Sequence, residues 1–584
     1  MSLLKPSPCT PAHLAGRERA VQIIGKTNVT IPVYRYMMVF CIKGGIVLSN
    51  SPASGSGLEK AMNKTIILFA VTILIVFSTC LSADSSIRPN IILIVSDNQS
   101  ASLLGTYDNK EIKTPNIDKL ANEGIKFRSA FAVNGVCSPT RATLMTGLIP
   151  SQTGIHVALP SDIDVPDWSG IEEFRSLPQT LSEAGYHTAL VGKYHLGMPQ
   201  KPQLGFQYWV TFPSGHTTTF YDQTVIDNGK EYTVSEHLTD FWTAKALEFL
   251  SEQTGARPFF LYLAYNGPYM LPPTVNMEPN NRHADYYKKH VPSMPQEPVH
   301  PYLENWARGL RGPSNLMVKE GTTAWQAIKA LNNKTAMINA ASETAMVDDG
   351  VGAIMDKLNE MGIDKNTIVI YTSDQGATYG HNGLWGNTSW SFPFTVHNAN
   401  MQIPLIIRHS GSISAGMQAD NFINQYDIFP TLLDYIGMQN LSIANTPGKS
   451  FAPILRGHQI KQWEDAAFFE FVTVRVIRTP EWKYMKRLDE EEPNTLFNLT
   501  HDPEESVNLV DDPRYKGVVA DLDKRLTEFF TTYADEKYDL WQGGTAKGIL
   551  LDKYYGRDDV FRDRFPDWKE PSMEKATRIF TDLH

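Results

Sequence analysis

Residues 88–97 read RPNIILIVSD, a proline followed by an unbroken apolar run that ends on an acid. A strand with one wet face alternates apolar and polar side chains. This run does not alternate, so it is expected to be covered on both faces. The same style returns in PFFLYLAYNGP (258–268), NTIVIYTSDQG (366–376) and MQIPLIIRHSG (401–411). Between these runs stand segments with helical spacing: TPNIDKLANEGIKF (114–127), the helix, glycine and strand of LPQTLSEAGYHTALVGKYHLG (177–197), and the long TAMINAASETAMVDDGVGAIMDKLNEMG (335–362). Strands alternating with helices predict an α/β fold, with a large, mostly parallel mixed sheet flanked by helices.

After about residue 455 the pattern changes. FFEFVTVRVIRTPEWKYMKRL and NTLFNLTHDPEE read as short strands, and a helix with Val518, Leu522, Leu526 and Phe530 on one face follows. That predicts a catalytic domain over 84–455 and a smaller α+β subdomain over 456–584 with an aromatic tail. The net charge of -10 gives no basic excess, so nucleic acid is not an expected partner.

From Met62 the chain runs MNKTIILFAVTILIVFSTCLSADSS, with one lysine, an apolar stretch from Ile66 to Phe77 and small residues before Asp84. This has the composition of a signal peptide over 62–83, too short to span a bilayer stably, and it predicts a periplasmic or secreted protein. Cleavage after Ala83 fits better than lipid attachment at Cys80, and residues 1–61 read as an upstream extension from a misassigned start. Cleavage removes Cys9, Cys41 and Cys80, leaving Cys137 as the one cysteine of the mature chain. An exported protein with a single thiol has no disulfide for it to form.

In open α/β sheets, functional groups collect at the carboxyl ends of the strands. Two strands here end in an acid followed by an amide, Asp97-Asn98 and Asp374-Gln375. Four oxygen donors side by side suit a hard cation, Ca²⁺ or Mg²⁺, and not zinc. Lys193 and His195, two apart in VGKYHLG, are expected on one face of a strand at that same end, one to hold an anion and the other to move a proton.

The stretch CSPTRATLMTG at 137–147 ties these parts together, because it resembles the signature of the formylglycine-dependent type I sulfatases of the alkaline phosphatase-like superfamily. That signature opens on a cysteine and carries an arginine at the fifth place, here Cys137 and Arg141. TPNIDKLANEGIKF, GLIPSQTGIH, LSEAGYHTALVGKYHLG, SDQG, NGLWG, INQYDIFPTLLDYIG and LFNLTHDPEESVNL are similar to segments of the same family, in family order, over residues 88–510.

The resemblance implies that a maturation enzyme oxidises Cys137 to formylglycine, which then attacks a sulfate ester, on a carbohydrate by family habit. It places Asp97, Asn98, Asp374 and Gln375 around Ca²⁺ together with residue 137. Arg141 would steady the nucleophile, Lys193 would bind sulfate and His195 would exchange a proton. Three positions depart from the family: Asn98 where a second Asp is common, Tyr269 where a histidine often serves as acid, and Asn387 where a lysine is usual. His381 is a candidate replacement acid, and His216 a candidate substrate contact alongside Asn387. Two rivals stand beside the sulfatase reading: a phosphodiester or phosphonate monoester hydrolase on the same fold, and a silent homologue that binds sulfated glycans.

Overall fold

The computed structural model describes residues 20–23, 29–32 and 88–547, the last span without 160–168, 214, 216, 218, 270, 272, 308–322, 442 and 489–491. The expected leader, Cys9, Cys41, Cys80, His216 and the tail beyond 547 lie outside the described residues. Two units separate, Met1–Ser86 and Ile87–His584. In the first, Ala20–Ile23 pairs antiparallel with Val29–Pro32.

The second unit is built on ten strands: β1 (Asn90–Asp97), β2 (Ile125–Phe131), β3 (His187–Gly192), β4 (Tyr208–Thr211), β5 (Gln223–Asp227), β6 (Lys230–Val234), β7 (Phe259–Pro268), β8 (Thr367–Ser373), β9 (Gln402–His409) and β10 (Met417–Asn424). They lie in the order β10-β2-β9-β8-β1-β7-β3-β4-β5-β6. Five of the nine pairings are parallel and four antiparallel, so the sheet is mixed, with its parallel heart at β8-β1-β7-β3-β4.

Every residue of β1 is buried. Ile92 and Ile94 pack into one apolar cluster while Ile91, Leu93 and Val95 pack into another, so the side chains alternate between two cores instead of between core and water. Each such side chain contributes roughly 2 kcal/mol of burial. This explains an apolar run with no period.

Helices cover both faces: α1 (Pro115–Asn122), α2 (Cys137–Thr146), α3 (Leu177–Glu183), α4 (Leu238–Ser251), α5 (Lys334–Glu360) and α6 (Ile428–Tyr435). The Asn333 side chain caps α5 by accepting from the Thr335 amide at 2.9 Å. Midway along α5, Asp348 accepts from the amides of Asn116 and Ile117 at 3.0 and 2.8 Å, which ties the start of α1 to the long helix. The second sheet is antiparallel, β11 (Ala467–Phe471) to β14 (Thr495–Asn498) through β12 (Val474–Arg478) and β13 (Trp482–Arg487). Helix α7 (Lys516–Tyr533) buries Leu522, Leu526 and Phe530 against it, with Val518 partly buried beside them. Both sheets belong to the same compact unit.

Candidate active site

Strands β1 and β8 are parallel neighbours with Ser96 opposite Ser373, so the two acid-amide pairs at their ends emerge side by side. The Asn98 amide donates to Asp374 Oδ1 at 3.1 Å, and the side-chain amides of Asn98 and Gln375 meet at 2.9 Å. Asn98 adopts a left-handed φ of 58°, a conformation asparagine tolerates better than most residues. All four side chains are fully buried. Opposite them, α2 starts at Cys137, so the thiol stands at a helix N-terminus, where amide dipoles favour anions.

The Cys137 Sγ lies 3.7 Å from Asp97 Oδ1, 3.3 Å from the Gln375 amide and 3.2 Å from Lys193 Nζ. Lys193 Nζ also reaches Asp97 Oδ2 at 2.5 Å, and Arg141 spans Asp97 and Asp374 at 3.2 and 2.7 Å. Two carboxylates and two cations thus surround one thiol with no exposed surface. Burial, and then the Asp97 charge, push the Cys137 thiol up to about 12. Burial, reinforced by Asp97, raises Asp374 to about 6.

Asp97, Cys137 and Asp374 offer one donor atom each within 4.8 Å of one another. The Asn98 and Gln375 amides close against them, and among the described residues neither His nor a zinc-type thiolate pair takes part. Two buried carboxylates, ringed by amide oxygens, fit a divalent cation of the Ca²⁺ or Mg²⁺ type.

Lys193 and His195 do not share a strand face. β3 ends at Gly192, whose φ of 107° suits only glycine, and a Cβ there would strike the Ala264 carbonyl. Beyond that break Lys193 turns to Cys137, while His195, at φ 53°, sets Nε2 3.1 Å from the Leu159 carbonyl. That contact places the proton of the neutral ring on Nε2 and the lone pair on Nδ1. Ser138 Oγ donates to the His195 carbonyl at 2.8 Å, which still fastens this turn to α2.

Tyr269 comes directly after β7, with its amide donating to the Asp97 carbonyl at 3.2 Å and its ring 5.3 Å from Lys193 Nζ. Burial, then Cys137, raises its phenol well above the usual 10. His381 accepts from the Tyr379 amide at 3.3 Å and stacks on His397 at 5.2 Å. Burial lowers its pKa, against the pull of Glu504 and Glu505. Asn387 accepts from the amide and hydroxyl of Ser389 at 3.1 and 2.6 Å, which caps a short turn. Neither side chain joins the bonds that surround Cys137.

Three further residues serve the site. Thr140 Oγ bonds the Cys137 carbonyl at 2.8 Å and Gln375 Oε1 at 3.2 Å. Tyr379 donates to the Asn98 carbonyl at 2.7 Å and so holds its left-handed turn. Asn134 accepts from the Val136 amide at 2.9 Å and donates to the Glu470 carbonyl at 2.7 Å, linking the approach to Cys137 with the small sheet. Thr140 lies inside the 137–147 stretch, Asn134 three residues before it, and Tyr379 between SDQG and NGLWG.

A thiol at a helix N-terminus, beside two carboxylates and two fixed cations, is an arrangement suited to chemistry on an anionic group. The Sulfatase family model matches residues 89–438, and the model "N-sulphoglucosamine sulphohydrolase, C-terminal" matches 386–532. The chain belongs to the sulfatase family, whose members are sulfuric ester hydrolases.

Among its relatives is an N-acetylglucosamine-6-O-sulfatase of Bacteroides thetaiotaomicron, 26% identical over 77% of this chain and 88% of that protein. The N-acetylgalactosamine-6-sulfatase of Homo sapiens is 27% identical over 63% of this chain and 66% of that one. In fold, the chain is similar to a protein solved with its substrate D-glucosamine-2-N,6-O-disulfate, with a TM-score of 0.61, 23% identity and coverage of 77% and 99%. It is also similar to the phosphonate monoester hydrolase of Agrobacterium radiobacter, with a TM-score of 0.59, 22% identity and coverage of 77% and 97%.

Proposed function

We propose that the protein removes sulfate from a sulfated amino sugar or a glycan containing one, using formylglycine made from Cys137. The observation that carries this reading is the position of residue 137: buried at the start of α2, 3.2 Å from Lys193 Nζ and beside Asp97. The substrates named for the relatives support the sugar class. A thiol is a soft nucleophile, and an ester through its sulfur would be hard to release. A hydrated aldehyde at this position supplies two hydroxyls, one to take the sulfuryl group and one to expel it, so water need not attack sulfur.

The residues of this chain would do the rest. Asp97, Asn98, Asp374 and Gln375 would hold Ca²⁺, which lowers the pKa of a neighbouring hydroxyl and neutralises charge on the transferring group. Lys193 holds a sulfate oxygen, and the α2 amides oppose a second. Arg141 keeps the two carboxylates at a fixed separation. His195 Nδ1 is the site for a proton taken from residue 137. The phosphonate ester reading is disfavoured by the donor set, since among the described residues no histidine lies in the acidic cluster.

Residues 137 to 146 are all buried, so a formylglycine-generating enzyme must act on the chain before it folds. We place the mature protein in the periplasm or outside the cell, starting near Asp84. N-terminal sequencing of protein from its native host tests that start.

Mass spectrometry of the tryptic peptide SAFAVNGVCSPTR, from protein matured in its own host or with a formylglycine-generating enzyme, tests the nucleophile. An aldehyde or its hydrate at position 137, with sulfate release from 6-O-sulfated N-acetylglucosamine or N-acetylgalactosamine, is the expected result. An unmodified thiol, in cells that mature a known sulfatase, would sink the reading and favour a silent sulfated-glycan binder.

A further inference from the structure

Between α7 and the small sheet lies a cavity of about 490 Å³ that shares no residue with the active site. It is lined by Arg475 from β12, Lys486 from β13, Thr527 and Thr531 one turn apart on α7, and Trp541 and Gln542 beyond the helix. Its volume falls in the range of about 300–1,000 Å³ usual for small-ligand sites.

The floor is built, not accidental. Arg475 is 6% exposed, and its guanidinium lies between the rings of Phe530 at 3.9 Å and Trp541 at 4.8 Å. It pairs with Asp539 at 2.6 Å, and its Nε is a buried donor with no acceptor. The indole N–H of half-buried Trp541 donates to the Val472 carbonyl at 3.1 Å, which fixes the ring in place. Lys486 pairs with Asp523 at 2.7 Å. Both cations of the cavity are therefore compensated, and it offers no net field for a sulfate group. What remains is a rigid aromatic wall with hydroxyl, amide, carboxylate and guanidinium groups around it. That combination suits a ligand with apolar C–H faces and many hydroxyls.

We propose that this cavity is an ancillary site for an uncharged saccharide unit, with the sugar ring against Trp541 and its hydroxyls on Gln542, Thr527 and Thr531. Only the choice of sugar rests on the activity proposed above. A second foothold on the same chain would raise the local concentration of sulfated units at the nucleophile, without a new contact there.

The test is titration calorimetry of the full protein with unsulfated chitotetraose, which is uncharged, and then with its 6-O-sulfated form. Thr527 and Thr531 are exposed on α7, so Thr531→Trp, with Thr527→Trp as a second variant, fills the cavity without touching the core. Wild type should bind unsulfated chitotetraose, and either variant should weaken that binding by about tenfold or more. Turnover of a small aryl sulfate should not change, while KM for a polymeric sulfated substrate should rise. No binding by wild type, equal binding by both variants, or binding that requires sulfate would each overturn the proposal. Intact binding in a protein that hydrolyses no sulfate ester would instead overturn the proposed activity and leave this site standing.

Discussion

At Lys193, one ammonium contacts both the thiol of residue 137 and Asp97 with no exposed surface, so its charge acts at short range and without water. Removing such a donor from a charged transition state costs about 10²–10³ in rate. Lys193→Ala should lower kcat/KM on an aryl sulfate by that factor in correctly matured protein, and a loss under about threefold would place sulfate binding elsewhere. Tyr269→Phe should behave differently. Burial raises the phenol well above 10, so it keeps its proton at neutral pH and is a poor acid for the leaving group. The expected loss of kcat is under about fivefold, and a loss near 10³ would make Tyr269 the acid after all. At this scale the sequence was readable where a residue sits at the end of its own strand, as Asp97 and Asp374 do. It was silent on Tyr379, whose hydroxyl reaches the Asn98 carbonyl across 281 positions, because no local pattern announces such a contact. For His381 and Asn387, on loops, sequence supplied only chemical type. The fold gives one a stacked partner and the other a turn to cap.

Among the elements, α2 depends on the four residues before it. Asn134 is fully buried and replaces missing backbone partners: it accepts from the Val136 amide and donates to the Glu470 carbonyl. Asn134→Ala leaves both groups without a partner, at about 1–3 kcal/mol each. The variant should lose roughly 2–6 kcal/mol in a denaturant titration and should turn over more slowly. Unchanged stability would mean that the loop before α2 is held by its backbone alone. The apolar strands were legible as elements because burial on both faces erases their period, and α5 because its apolar face repeats over 27 residues. The placement of Lys193 and His195 on a strand failed for a reason of the same kind. Gly192 ends β3 through a close approach to β7, a tertiary event that the glycine signals without fixing the path of the chain beyond it.

Across the whole molecule, the small sheet and the catalytic loops are joined through buried polar groups, and the sequence boundary near 455 shows nothing of this. Lys483 on β13 pairs with Glu505 and bonds the Val396 carbonyl, while Glu505 accepts from the Asn398 amide at 2.7 Å. His397 lies in this junction with Nδ1 accepting from the Ala399 amide at 3.1 Å, and His156 bonds the Tyr538 carbonyl at 2.9 Å beyond α7. Burial lowers both histidines from 6.5 to about 4; Glu505 opposes it at His397, and the Tyr538 carbonyl opposes it at His156. Between pH 6.5 and 4 the unfolded chain binds protons at these histidines that the folded chain refuses. Their stability is therefore present above 6.5 and lost as the pH falls, up to about 3 kcal/mol for each. Asp348, raised to about 6 by burial, runs the other way and loses stability as the pH rises from 3.8 towards 6. Comparing variants isolates one histidine from the rest. Asn at 397 keeps a side-chain oxygen to cap the Ala399 amide but does not titrate. Unfolding free energies from denaturant titrations of wild type and His397→Asn at about pH 7.5, 5.5 and 4.5 should coincide within about 1 kcal/mol at the first and separate in favour of the variant at the last. Parallel curves would mean that water or a shift of Glu505 lets His397 take its proton in the folded state, and the junction would then be a softer joint than its burial implies.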